Sequence, residues 1–259
     1  MSKAVVTPPA ASDLPAVEPH APLLADAAIG WRPLALAYRL IAVTLIATGV
    51  ARNAGIVDGT FDATTLLYYT MVSNLICLGW MLVLVARTTG DLRGSGTRGT
   101  STPSARLSGA VMMAITVTML IYLVVLVPTR VTAGDTDIFS LTDTLVHVAT
   151  PALLIADWLL FVPKGAFRWT DPLAWILVPY AYLVWAFVYG ALGGEFVPGQ
   201  RYPYPFMDVG ALGIPGVTQW VVALTIALVA VGFVFVVIDR LLARVAGRQR
   251  AERDHTRLS

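Results

Sequence analysis

A hydroxyl, an imidazole and several carboxylates are set into stretches of this chain that are otherwise apolar. The segment TDTLVHVATPALLIADWLLF, residues 142–161, carries Asp143, His147 and Asp157, with Pro151 near its middle. On a helix of 3.6 residues per turn, Asp143, His147, Thr150, Leu154 and Asp157 fall on one stripe. Pro151 has no N–H, so the carbonyl of His147 loses its helical partner, and a bend with an unpaired acceptor is expected there. A packing kink is the plainer reading of the same proline. A second segment, TTLLYYTMVSNLICLGWMLVLVA, places Thr70, Ser73, Asn74 and Cys77 on a stripe of its own.

Together these residues can assemble an activated nucleophile. A threonine hydroxyl attacks a carbonyl only when a base takes its proton, and a histidine suits that task. Thr70 and His147 are the candidate nucleophile and base. Asp143, one turn before His147, is the candidate that orients the ring through its other nitrogen. Ser73, Asn74, Thr150, Tyr202 and Tyr204 are candidates for binding substrate or an oxyanion. The competing reading of Thr70 is a hydroxyl bonded back to the carbonyl four residues earlier, the usual fate of threonine in a membrane helix.

The elements that must position these groups follow from composition. The 259 residues are 57% hydrophobic and 13% charged, and the apolar residues are gathered into long runs. That pattern specifies an all-α, polytopic membrane protein. Six spans are expected at about 33–51, 64–86, 107–127, 142–162, 173–190 and 217–238, forming a six-helix transmembrane domain over 30–242. Residues 1–29 form a Pro/Ala-rich tail expected to be disordered. It lacks the basic and apolar regions of a signal peptide. Residues 243–259 form a short basic tail, expected to meet anionic inner-leaflet lipid and too short for nucleic acid. The Gly-, Pro- and aromatic-rich segment 190–216 reads as a lid or re-entrant segment.

Charge sets the orientation. Lys3 and Arg32, then Arg87, Arg93, Arg98 and Arg106, then Lys164 and Arg168, lie on the same side as both termini. Arg240 and the five arginines of the C-terminal tail join them. Only Arg52, Arg130 and Arg201 fall on the opposite side. The positive-inside rule therefore places both termini in the cytoplasm. Sixteen arginines against two lysines, with much alanine, suggest a GC-rich bacterial genome, hence a plasma membrane. On that orientation Thr70 and His147 lie about 9 Å and about 7.5 Å below the outer boundary, close enough to share a layer if their spans are neighbours. Arg39 and Asp157 both lie about 8–9 Å from the inner boundary. A structural ion pair between them is expected, the alternative being an Arg39 that snorkels to the headgroups.

The segments YYTMVSNL, DTLVHVATP and YPYPFMD occur in that order, and in this respect the chain resembles the androgen-induced-gene/androgen-dependent-TFPI-regulating family of intramembrane threonine hydrolases, its bacterial relatives above all. The resemblance covers roughly residues 64–208. It implies hydrolysis of esters between hydroxy fatty acids and fatty acids, with Thr70 as nucleophile and His147 as base. The chain departs from the animal members in having Ser73 and Asn74 where they place an acidic residue, and in Asp143 one turn before the histidine. These departures bear on the substrate.

The sequence thus predicts a membrane lipid-ester hydrolase working in the outer half of the bilayer without a cofactor. A metal is not expected, because one intramembrane histidine with scattered carboxylates makes no ligand set. Haem with two axial histidines would need a second one. The rival reading is a small proton-coupled transporter or lipid-binding protein that uses Asp143 and His147.

Overall fold

A computed structural model describes Leu24, Ala25 and residues 27–258. Most of the tail expected to be disordered lies outside the described residues, as do the side chains of residues 249–259. Six helices make up the fold: α1 (Arg32–Asn53), α2 (Tyr69–Ser95), α3 (Ala105–Thr132), α4 (Leu141–Phe161), α5 (Asp171–Ala191) and α6 (Val209–Leu258). Each is long and apolar enough to cross a bilayer, so the chain is a multi-pass membrane protein with an all-α, six-helix architecture. Large apolar side chains such as Ile41, Val124, Leu177 and Ile226 point outward, as a lipid-facing surface requires.

Several boundaries differ from expectation, each for a local reason. The end of the N-terminal tail forms a hairpin, β1 (Leu24–Ala25) with β2 (Ala28–Ile29), in which Ala28 is buried. Helix α2 continues through Ser95 rather than ending near residue 86. Its added turns are held by the Arg87–Asp91 pair and by Thr88, which is fully buried and bound by Arg39. Helix α6 starts at Val209, inside the segment read as a lid, and turns at Gly213 (φ 65°) just before Pro215. That backbone angle favours glycine. The backbone of the basic tail is a continuation of α6.

Two π turns interrupt the bundle. One spans Tyr122–Leu126 in α3 and the other Leu145–Ala149 in α4. In each, an N–H reaches back five residues, Val127 to the Tyr122 carbonyl and Thr150 to the Leu145 carbonyl. In each, proline is the next residue, Pro128 or Pro151. The expected bend at Pro151 is therefore realised as a widened turn, a known response of helices to a missing donor. Helix α1 packs closely on the α4 π turn at Gly49, where a Cβ would stand 3.0 Å from that of Leu145.

The bundle is pinned at the end holding the start of α1. Arg39 is fully buried and spends its five donors on protein oxygens. Nε and Nη2 reach Asp157 at 2.8 and 3.4 Å, Nη1 reaches Thr88 Oγ1 at 2.8 Å and the Ser101 carbonyl at 3.3 Å, and Nη2 reaches Thr102 Oγ1 at 3.4 Å. Arg39 and Asp157 are thus partners, and the arginine does not snorkel. Lys164 donates to the carbonyls of Trp158 and Val162 at the C-terminus of α4, where a cation also complements the helix dipole. Burial pushes its ammonium down to about 8, against the attraction of Asp239 and Asp157.

Removing one member of the Arg39–Asp157 pair strands a buried charge. Asp157→Leu is expected to cost about 3–5 kcal/mol, while Arg39→Leu combined with Asp157→Leu recovers much of that loss. Thermal unfolding of the purified protein in detergent checks this. Equal losses in the single and double variants would contradict it.

Candidate functional site

The opposite end of the bundle brings Thr70 and His147 together. Thr70 Oγ1 lies 3.3 Å from His147 Nε2, with both residues buried. His147 Nδ1 lies 3.1 Å from the main-chain carbonyl of Asp143. A carbonyl can only accept, so Nδ1 carries the proton and Nε2 presents its lone pair to the Thr70 hydroxyl. This is the tautomer a general base for Thr70 requires.

The local fold explains why Thr70 is available. Nine other helix threonines, among them Thr44, Thr88, Thr116 and Thr225, donate to the carbonyl four residues earlier. Thr70 does not. It is the second residue of α2, because Ala63–Leu67 forms a 3-10 turn and α2 begins at Tyr69. No preceding α-helical turn offers its hydroxyl an acceptor. The first N–H groups of a helix also lack intrahelical partners. The Tyr68 carbonyl takes the N–H of Met71 and of Val72, one turn on. Thr70 thus sits at the positive end of the α2 dipole, a favourable place for developing negative charge.

The main chain around both residues is fixed by the neighbouring polar groups. Asn74 donates to the Thr70 carbonyl at 2.7 Å and to the Val146 carbonyl at 3.0 Å, tying α2 to α4 beside the two reactive side chains. Ser73 Oγ donates to the Thr70 carbonyl at 3.1 Å and shares a 2.7 Å contact with Thr118 of α3. Tyr122, the first residue of the α3 π turn, stacks on the His147 ring with centroids 4.0 Å apart and planes 11° apart. Its hydroxyl donates to the Ile138 carbonyl.

Tyr204 completes the group from the segment between α5 and α6. Burial pushes its hydroxyl up to about 12, against the pull of the Thr70 hydroxyl and of the Thr70 and Tyr69 main-chain N–H groups that it faces. The segment folds back on the bundle through Phe196 and Met207, and Phe196 packs edge-on against Tyr68 at 5.6 Å. It therefore covers the N-terminus of α2.

Several expected roles change. The hydrogen bond that holds the imidazole goes to the Asp143 main chain rather than to its carboxylate. The carboxylate takes Arg130 at 2.9 Å and Ser140 at 3.0 Å, and stands 3.6 Å from His147 Nδ1. Asn74 is not an oxyanion donor, since its amide N–H groups are spent on carbonyls, and its Oδ1 has no partner among the described residues. Ser73 is likewise engaged within the bundle. The Thr150 hydroxyl closes the π turn by donating to the Leu145 carbonyl at 3.0 Å. Tyr202 packs edge-on against Phe187 at 5.8 Å and lines an outer cavity between Gly199 and Gly210, making no hydrogen bond to Thr70 or His147 among the described residues. Thr70 also lies in the first turn of its helix rather than six residues in.

Tyr122 and Arg130 were not anticipated as parts of this site. The one sequence signal was Pro128, which parallels Pro151 in following a π turn. Sequence spacing cannot show that the two widened turns lie side by side.

The hydrogen-bond scheme fixes an observable. Nitrogen NMR of protein carrying labelled histidine is expected to show His147 neutral with its proton on Nδ1. A proton on Nε2 would remove the acceptor facing Thr70. No family model, curated protein or solved structure matches the chain, so the geometry itself carries the functional reading.

Proposed function

We propose that this protein is an intramembrane hydrolase that cleaves a lipid ester with Thr70 as nucleophile and His147 as base. The observation that carries the reading is the contact between Thr70 Oγ1 and His147 Nε2 at 3.3 Å, with Nδ1 committed to the Asp143 carbonyl. In the first half-reaction Oγ1 bonds to the ester carbonyl carbon while His147 Nε2 takes the hydroxyl proton. The N-terminus of α2, with the N–H groups of Tyr69 and Thr70, and the Tyr204 hydroxyl are placed to stabilise the oxyanion. Collapse breaks the ester C–O bond, and His147 returns the proton to the leaving alcohol. Water then adds to the acyl-threonine, His147 takes a water proton and gives it back to Oγ1, and the free acid leaves.

The three ordered segments that resemble the androgen-induced-gene/androgen-dependent-TFPI-regulating hydrolases contain Thr70, His147 and Tyr204, the groups gathered here. The proposal includes membership of a bacterial branch of that family. It also places the protein in a plasma membrane with both termini cytoplasmic, on the strength of the asymmetric arginine distribution. The basic end of α6 would then face anionic lipid. A proton relay through Asp143 has less support, because its carboxylate is held by Arg130 and Ser140.

Labelling by a fluorophosphonate in detergent or nanodiscs tests the reading. Wild type is expected to label at Thr70, Thr70→Ala to lose all labelling, and His147→Ala to slow it about 10²–10⁴-fold. Asp143→Asn is expected to keep most of the reactivity, because a main-chain carbonyl holds the ring. Folded wild type that neither labels nor cleaves lipid esters would sink the proposal.

A further inference from the structure

Helices α5 and α6 meet closely at only one end. There Gly232 packs against Pro172, where a Cβ on the glycine would come within 2.8 Å of the proline side chain. The later part of α5, Leu177–Ala191, draws away from α6. A narrow wedge with ≈ 60 Å³ of free space, open to the outside, is left between them, backed by Val117 and Ile121 of α3. One bond spans it: the Tyr180 hydroxyl donates to Thr225 Oγ1 at 2.7 Å, while Thr225 donates onward to the Val221 carbonyl.

The chemistry of the wedge is uniform. Its walls are apolar, and the hydroxyls that line it are mostly engaged by the protein. Tyr69 donates to the Ala114 carbonyl and Tyr182 to the Leu67 carbonyl, and Tyr180 and Thr225 satisfy each other. A polar ligand would find few partners there. Tyr204 is the exception, and its hydroxyl faces Thr70 rather than a carbonyl. Tyr69 and Tyr204 line the inner end of the wedge, and Thr70 is the residue that follows Tyr69 in the chain, although Thr70 and His147 do not themselves line it. Its outer side lies between two helices whose exposed faces are lipid-facing, so an occupant enters sideways from the membrane.

We infer that this wedge is the acyl-binding site of the protein: it takes the hydrocarbon chain of a membrane ester between α5 and α6 and delivers its carbonyl past Tyr204 to Thr70. The inference rests on the reading of Thr70 as nucleophile for its last step, but the occupancy does not. The lining residues Val221 to Leu228 span about 10 Å along α6, the reach of roughly eight carbons in an extended chain. The ligand class is thus a medium-length acyl chain, or the carbonyl-proximal part of a longer one. Leu224, half-buried on the α6 wall, is the residue whose size sets the room available.

The experiment is photocrosslinking of the full-length protein in nanodiscs with a fatty acid carrying a diazirine and an alkyne, followed by peptide mapping. Crosslinks are expected on Tyr180–Leu183 of α5 and Val221–Leu228 of α6, in wild type and in Thr70→Ala alike. Leu224→Trp, which fills the wedge, is expected to reduce them at least tenfold. Leu40→Trp, on the outward face of α1, is expected to leave them unchanged. Crosslinks that ignore Leu224→Trp, or that spread evenly over the outward faces, would overturn the assignment. Fluorophosphonates of increasing alkyl length give the second readout: the labelling rate of wild type should rise to about eight carbons, and Leu224→Trp should shift the optimum to shorter chains. Labelling of Thr70 with no dependence on length or on Leu224 would reject the wedge and leave the hydrolase standing. Wedge crosslinks without any Thr70 labelling would support the acyl site and reject the hydrolase.

Discussion

A guanidinium with no access to water must be met donor by donor, and the architecture of this bundle depends on how Arg39 meets that requirement. Its partners come from α2, from the connection that follows α2, and from Asp157 of α4. One side chain of α1 therefore fixes the relative positions of three helices. The cost of burying the charge is offset only while all these partners stay in place, which makes the arrangement rigid. Apolar side chains such as Met81, Leu84, Trp158 and Phe161 are buried in the same bundle.

The reactive end obeys the same rule through neutral groups. Asn74 bonds the carbonyls of Thr70 and Val146, so two positions next to the reactive side chains are fixed relative to each other by one amide. The imidazole is held on one face by Tyr122 and at Nδ1 by a carbonyl. Arg130 bridges Asp135 and Asp143 above the site, and the Asp143 carboxylate stands 3.6 Å from the ring. The imidazole thus meets its acceptor and its hydroxyl partner beside a carboxylate that is itself held by Arg130.

The parts of this arrangement that were legible in the sequence were those set by period and composition. Six apolar runs gave six helices, and similar depth from the same boundary paired Arg39 with Asp157. The same logic brought Thr70 near His147. The errors came where local backbone geometry decides. Asp143 is one turn before His147, and spacing alone cannot say whether the carboxylate or the carbonyl of such a residue takes the ring proton. Asn74 has the chemistry of an oxyanion donor, but its amide answers a nearer demand, two main-chain carbonyls in an apolar interior. The start of α2 was placed too early because the 3-10 turn at Ala63–Leu67 is as apolar as the helix it precedes.

The π turn in α4 has a consequence for how the two ends of that helix relate. A π turn amounts to one residue inserted into an α-helix, so everything beyond it is rotated by about 100° relative to an uninterrupted helix. Asp143 precedes the insertion, His147 lies within it and Asp157 follows it, so the three do not share the line that regular spacing would draw. His147 looks toward α2 and α3, and Asp157 looks toward α1. The inserted residue acts as a phase shift between the anchoring half and the reactive half of one helix. Each half thereby meets its own set of neighbours along a single continuous helix.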